Sequence, residues 1–337
     1  MVAGKGMFIW QWSRSGSPAQ VVVGAHSMGL SFLVLRASGS DTGFDTKQIL
    51  ADLLPRAHAA GIKVIGYDPP TMANIQADVD RALALARFRA PGGHALDAVA
   101  ADIEPEASRR TAANYDAYGR ALRKGVGQSY PLVAIVYPPN QFPNEPYRAL
   151  APHFDAFMPM VYWRAQTTNA AGYSKAAVQK MAAFGLPVSF LGQAFAYSDH
   201  SANSLRAYPP AAEIRAALQA AQDAGAIGAS FWVWQHATED FWRAFSAFPF
   251  RGAAVPSGGR PPRLPIPAAP PVVNPTPQST PTGSNPVVVP PALYPAEALG
   301  NGPGTWREKP GVSAELAIGL LALVGAALVG GLHVSRS

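Results

Sequence analysis

Asp97-Ala98-Val99-Ala100-Ala101-Asp102-Ile103-Glu104-Pro105-Glu106 is a short, largely apolar run that ends in two carboxylates at a spacing of two. The proline that follows cannot donate to a further strand ladder. Side chains alternate faces along a strand, so Ala100, Asp102 and Glu104 share one face while Val99, Ala101 and Ile103 share the other. Residues two apart in a strand have Cα atoms roughly 6.5 Å apart, close enough for both acids to feel each other's charge and reach one bond of a substrate. Two acids gathered at the carboxyl end of one strand suit general acid chemistry on a sugar. The competing reading is a solvated strand end whose acids pair with Arg109 or Arg110.

Outward from this stretch the chain alternates strand-like and helix-like segments. Strands are expected at 7–12, 31–36, 63–67, 98–103, 132–137, 156–162, 188–193 and 229–234. The helical segments are 19–26, 45–60, 74–88, 108–124, 174–184, 210–224 and 241–248, with a looser turn at 147–150. Gly61 stands where a helix-ending glycine belongs, Ser108 where an N-cap does, and Pro159 marks the sixth strand as the least regular. Eight strands, each followed by a helical segment over about 250 residues, predict a closed α/β fold, the (β/α)8 TIM barrel. An open doubly wound sheet is the alternative, disfavoured because residues 13–17 (Ser-Arg-Ser-Gly-Ser) lack the G-x-G-x-x-G phosphate loop.

Composition narrows the chemistry. The chain has no cysteine, so disulfides, thiolate metal sites and a cysteine nucleophile are excluded, and its seven histidines show no metal-ligand spacing. No metal or other cofactor is expected. The net charge of +6 is spread over the chain, with basic pairs such as Arg109-Arg110 and Arg123-Lys124 on helix faces. This does not support a nucleic-acid partner and leaves at most a weak attraction to anionic polymers such as cell wall.

A barrel builds its site at the carboxyl ends of its strands. There the sequence places Gln11 and Trp12, Arg36, Tyr67 and Asp68, Asp102 and Glu104, Tyr137, Tyr162 and Trp163, Gln193, and Trp232, Trp234 and Gln235. Flat rings that pack on sugar C–H faces, with amides and acids for the hydroxyls, suit a polysaccharide substrate. By alternation Trp232 and Trp234 are expected to face inward together, with Phe231 and Val233 toward the helices.

These residues also carry a resemblance. The span 97–104 resembles the D-G-x-D-x-D-x-E motif of family 18 glycoside hydrolases, the chitinase-like barrels: Asp97, Asp102 and Glu104 match, and Ala98 and Ala100 depart. Met160-Val161-Tyr162-Trp163 is similar to that family's M-x-Y-D, with Trp163 in place of the acid, and Phe231-Trp232-Val233-Trp234 to its closing tryptophan segment. The resemblance implies Glu104 as the acid, Asp102 as its partner and Tyr162 as a group steadying the substrate. Family 25 lysozyme-like barrels also share a D-x-E on the fourth strand, but this chain has Trp10-Gln11-Trp12 where they place an acid. The expectation is a glycoside hydrolase on a β-linked amino-sugar polymer, peptidoglycan or chitin-like. Its rival is a catalytically silent glycan-binding or structural barrel, favoured by Ala100 and Trp163, where acids are missing.

The composition changes near Phe250, which sets expected domains of 1–250 for the barrel, 251–312 for a spacer and 313–337 for an anchor. Sixteen of the 33 prolines fall between Arg251 and Gly311, too many for a packed core, so this part is expected to be disordered and extended. The run 316–332 is unbroken Leu, Ala, Val, Ile and Gly, at the short limit of a transmembrane helix. Ala326 with Gly330, and Ala327 with Gly331, give a spacing that permits weak self-association. With residues 1–12 read as a strand and not an export signal, the layout is that of a protein anchored to a membrane by its carboxyl end, the barrel at the cell surface.

Overall fold

The computed structural model describes residues 2–197 and 207–254. Eight parallel strands close on themselves in chain order: β1 Gly4–Ile9, β2 Phe32–Arg36, β3 Lys63–Asp68, β4 Ala98–Asp102, β5 Leu132–Val136, β6 Ala156–Val161, β7 Ser189–Gln193 and β8 Gly228–Trp232. The barrel shuts where Gly4 to Met7 of β1 pair with Gly228 to Phe231 of β8. Around it run α1 Pro18–Ser27, α2 Lys47–Ala59, α3 Ile75–Arg87, α4 Ala112–Val126, α5 Tyr147–Leu150, α6 Ala170–Ala182, α7 Ala211–Asp223 and α8 Glu239–Ala247. The closed barrel, and not the open sheet, is therefore the fold.

Period-two alternation divides the apolar residues into two cores. Phe8, Phe32, Val34, Ile65, Tyr67, Val133, Ile135 and Met158 fill the barrel, while Leu33, Val64, Val99, Leu132, Phe157, Phe190 and Phe231 pack against the helices. The interior is shared unequally. Phe32 reaches so far inward that a Cβ on Gly6 would lie 2.1 Å from its ring, so β1 must have glycine there. Ala98, Ala100 and Ala156 occupy inward positions on β4 and β6. Local signals fix the helices: Ser17 and Gln20 form a capping box at α1 with Pro18 at its first position, and Asn74 and Thr238 cap α3 and α8. Gly61, at φ +72°, ends α2 as expected.

Three of the boundaries that differ from the sequence reading bear on the site and its flanks. β1 lies at Gly4–Ile9, about three residues earlier than 7–12, which carries Trp12 out of the strand into a 3-10 turn. Thr111, not Ser108, caps α4, because residues 107–109 form a 3-10 turn first; α4 then runs through Gly125 to Val126, and Gly127 follows at φ +83°. β8 ends at Trp232, so Trp234 belongs to a further 3-10 turn. The irregularity of β6 is as read: it pairs with β7 only at Met160 and Val161, plus an isolated bridge from Phe157 to Val188, with Pro159 between. Among the described residues no helix is long and apolar enough to cross a membrane. The expected anchor at 313–337, and the spacer beyond Ala254, lie outside the described residues.

Candidate active site

β4 delivers the acids. Ala98 and Ala100 pack inside the barrel and Asp102 is the last residue of the strand, half-buried on the inward face. Glu104 comes after the strand has ended: its N–H donates to the Asp102 carbonyl (3.1 Å), and Pro105 turns the chain away. Both side chains line a cavity of about 250 Å³ at the carboxyl ends of the strands. Phe8 and Trp10 line it from β1 and the residue beyond, Arg36 and Tyr67 from β2 and β3, Met160 and Tyr162 from β6, and Leu191, Phe195, Tyr197 and Trp232 from β7, its loop and β8. The Trp232 ring lies 5.5 Å from Phe8, 6.1 Å from Trp10 and 6.1 Å from Tyr67, centroid to centroid, and Tyr162 stands edge-on to Phe195 at 5.3 Å.

Apolar surroundings change the acids. Burial raises the Asp102 carboxyl to about 7, the negative charge of Asp68 adding to the effect and Arg36 opposing it. Asp102 Oδ1 finds no hydrogen-bond partner among the described residues. Burial and the neighbouring Asp102 hold Glu104 well above the ordinary glutamate range, against the guanidinium of Arg110 and a hydrogen bond from Tyr137. Burial and Asp102 both favour the protonated form of Glu104. Asp102 is about half ionised near pH 7. Neither acid owes its state to a direct ion pair: Arg109 pairs with Glu106 at 3.5 Å and Arg110 with Glu145 at 3.3 Å.

Of the fourteen residues the sequence places at the site, Asp102, Glu104, Arg36, Tyr67, Tyr162 and Trp232 line the cavity. Tyr137 stands directly behind Glu104. The other seven do not line it. Gln11 instead accepts from Arg14 at 3.2 Å. Asp68 points outward from β3, wholly buried, accepting from Ser38 Oγ at 2.5 Å and from Arg81 of α3 at 3.0 Å. Trp163 is buried in the outer core, where its indole N–H donates to Glu213 at 2.8 Å, so this tryptophan does not stand at the cavity in place of an acid. Trp12 packs against the outer core from its 3-10 turn.

Trp234 also leaves the cavity, packing edge-on to Trp242 of α8 at 4.9 Å. The expected inward pair of Trp232 and Trp234 thus fails: strand alternation stops at Trp232, across a cis peptide to Val233, which lies with the inner cluster. Gln193 is buried and ties its loop, accepting from the Arg164 N–H at 3.3 Å and donating to the Phe195 carbonyl at 2.8 Å. The Gln235 amide is enclosed beside the cavity-lining His236, without a partner among the described residues. Asp97, matched to the motif's first acid, lies at the other end of β4, accepting from His58 Nε2 (3.0 Å) and the Val64 N–H (2.8 Å). Trp10 was within reach of sequence reasoning, since Phe8 and Trp10 share a phase once β1 begins at Gly4. Phe195 and Tyr197 sit on a loop that no period marks. Among the described residues no group of three or more His, Asp and Glu is arranged to hold a metal ion.

No known family model matches the sequence, and no curated protein is similar to it. Solved structures do share its fold. A class V chitinase from Pseudomonas fluorescens Pf-5 superposes with a TM-score of 0.52 at 14% identity, covering 73% of this chain and 99% of that one. The spore cortex-lytic enzyme SleL of Bacillus cereus gives 0.53 at 11%, covering 72% and 73%. The catalytic domain of the psychrophilic chitinase B from Arthrobacter TAD20 gives 0.51 at 11%, covering 77% and 98%. The resemblance to chitinase-like barrels read from the sequence therefore holds for the fold.

Proposed function

We propose that the protein is a glycoside hydrolase acting on a β-linked amino-sugar polymer, peptidoglycan or chitin-like. The observation that carries this reading is Glu104 beside Asp102 in an aromatic-walled cavity at the carboxyl ends of the strands, its carboxyl held well above the ordinary glutamate range. Glu104 gives its proton to the glycosidic oxygen as the bond to the sugar breaks, and Tyr162 steadies the sugar. Among the described residues every acid lining the cavity comes from the stretch 102–106, and Glu106 is exposed and paired with Arg109. Among the described residues the opposite wall supplies no carboxylate to attack the sugar. A 2-acetamido group would fill that role, its carbonyl oxygen attacking C1 while its N–H donates to Asp102, whose Oδ1 is unpartnered. The kinship of fold with chitinases and a cortex-lytic enzyme supports the same class of polymer.

The rival reading, a silent glycan-binding barrel, is favoured by one observation: Ala100 puts a methyl group inside the barrel where the resemblance has an acid. Soluble β-1,4-linked N-acetylglucosamine oligomers, together with peptidoglycan glycan strands, separate the two. Shorter products with a new reducing end support hydrolysis. Measurable binding with no product over long incubation overturns it in favour of the silent barrel.

The same proposal includes a layout of barrel 1–250, proline-rich spacer 251–312 and membrane anchor 313–337, with the barrel at the cell surface. Fractionating cells that express the chain with and without residues 313–337 tests it. An unchanged soluble distribution would remove the anchor.

A further inference from the structure

Behind Glu104, on the side away from the cavity's aromatic wall, Arg110 joins two loops. Its Nε donates to the carbonyl of Pro105, the residue after Glu104, at 3.0 Å. One terminal nitrogen reaches the Tyr137 hydroxyl oxygen at 3.3 Å and the other reaches Glu145 Oε1 at 3.3 Å. The guanidinium also lies over the Tyr137 ring at 4.6 Å, and Phe142 packs on the same ring at 4.4 Å, so Tyr137 is held between a cation and an arene. Glu145, on the loop before α5, takes its second bond from the Tyr115 hydroxyl of α4 at 2.9 Å. Tyr147 fixes the backbone behind, donating to the Tyr137 and Phe142 carbonyls at 3.0 and 2.9 Å.

We propose that Arg110 and Glu145 form a two-part clamp that positions the catalytic acid Glu104 and keeps it loaded with its proton. Because Arg110 donates to the Tyr137 oxygen, the tyrosine's own hydrogen turns to the Glu104 carboxyl, which fixes the direction of that bond. The bond to the Pro105 carbonyl holds the backbone beside Glu104 at the same time. Glu145 has the second task. A bare guanidinium this near would draw the proton off Glu104, and Glu145 answers that charge at the side remote from the cavity. The groups bearing on Glu104 are then Asp102 from β4, Tyr137 from beyond β5, Tyr67 from β3 and the clamp itself, while Arg36 from β2 acts on Asp102 and Tyr67. Arg110 and Glu145 touch no substrate, so both are positioning residues, and the assignment rests on Glu104 as the acid.

The clamp has a signature that plain structural damage lacks: its two halves act on the Glu104 proton with opposite sign. In the full chain with ¹³C-labelled glutamate, the Glu104 resonance is assigned by its loss in Glu104→Gln and followed against pH. Arg110→Gln is expected to move its titration to higher pH and Glu145→Gln to lower pH. The double variant, without either charge, returns toward wild type. Arg110→Lys, which keeps charge but not the fork, should leave the titration near wild type while kcat falls about tenfold through misplacement. Shifts of the same sign, or none, in variants that keep the wild-type circular dichroism overturn the clamp. The titration needs no substrate, so a chain that cuts no glycan would sink the proposed function and still leave this result readable.

Discussion

The cavity has two unlike walls. One, from β2 to β5, holds Arg36, Asp102 and Glu104, with Arg110 and Glu145 behind; the other, from β6 through β8 to β1, is Tyr162, Leu191, Phe195, Trp232, Phe8 and Trp10. Each wall makes the other work. Apolar rings opposite the acids keep water from dispersing their charge, and this burial is the largest cause of the raised Asp102 and Glu104 carboxyls. The acids in turn give direction to a surface of rings that would otherwise bind any sugar by area alone. Asp68 shows what the outer face of the same strands does with a carboxylate. Wholly buried, it is answered by Ser38 and Arg81, and Arg81 also binds Asp78 at 2.7 Å.

Removing a member of the charged wall should cost turnover, and removing one from the aromatic wall should cost affinity. Glu104→Gln is expected to lower kcat by about 10²- to 10⁴-fold with KM changed only a few-fold. A variant that keeps wild-type turnover would end its assignment as the acid. Trp232→Ala should raise KM by about tenfold, from roughly 1–1.5 kcal/mol of lost ring contact, with the pH profile unmoved. Trp234→Ala, outside the cavity against Trp242, should leave KM unchanged and lower Tm instead. If the two tryptophan variants behave alike, the division into walls is wrong.

The smallest expected effect is on stability. Asp102 has an ordinary carboxyl value in the unfolded chain and one near 7 in the folded chain, so the native state binds more protons between those limits. The cost of ionising it in place is absent below about pH 4, grows through that window and is complete above about pH 7. Asp102→Asn should therefore stabilise the fold at pH 8 by on the order of 2 kcal/mol, a few degrees in Tm, with no gain at pH 4. Urea melts of both proteins at the two pH values measure it, and an equal gain at both would mean that charge is not the cause.

The sequence was legible where physics is local. Strand alternation and helix ends made the barrel readable, and the D-x-E spacing made Asp102 and Glu104 readable, because each depends on neighbours a few residues away. It misled where a strand end had to be guessed: a shift of three residues exchanged Trp10 for Trp12, and the end of β8 at Trp232 turned Trp234 outward. Asp68 looked like a site acid because nothing in its neighbourhood names Arg81 on the next helix as its partner. Glu145 was silent for the same reason, since Arg110 lies 35 positions away and only the pairing of β4 with β5 brings their loops together.

The account stands most directly on the proton of Glu104. Titrating the assigned ¹³C carboxyl resonance of Glu104 in the full chain reads it without a substrate. The expected result is a carboxyl still protonated at pH 7, losing its proton well above the ordinary glutamate range. A Glu104 that titrates in the ordinary range, already ionised at pH 6, would contradict the account.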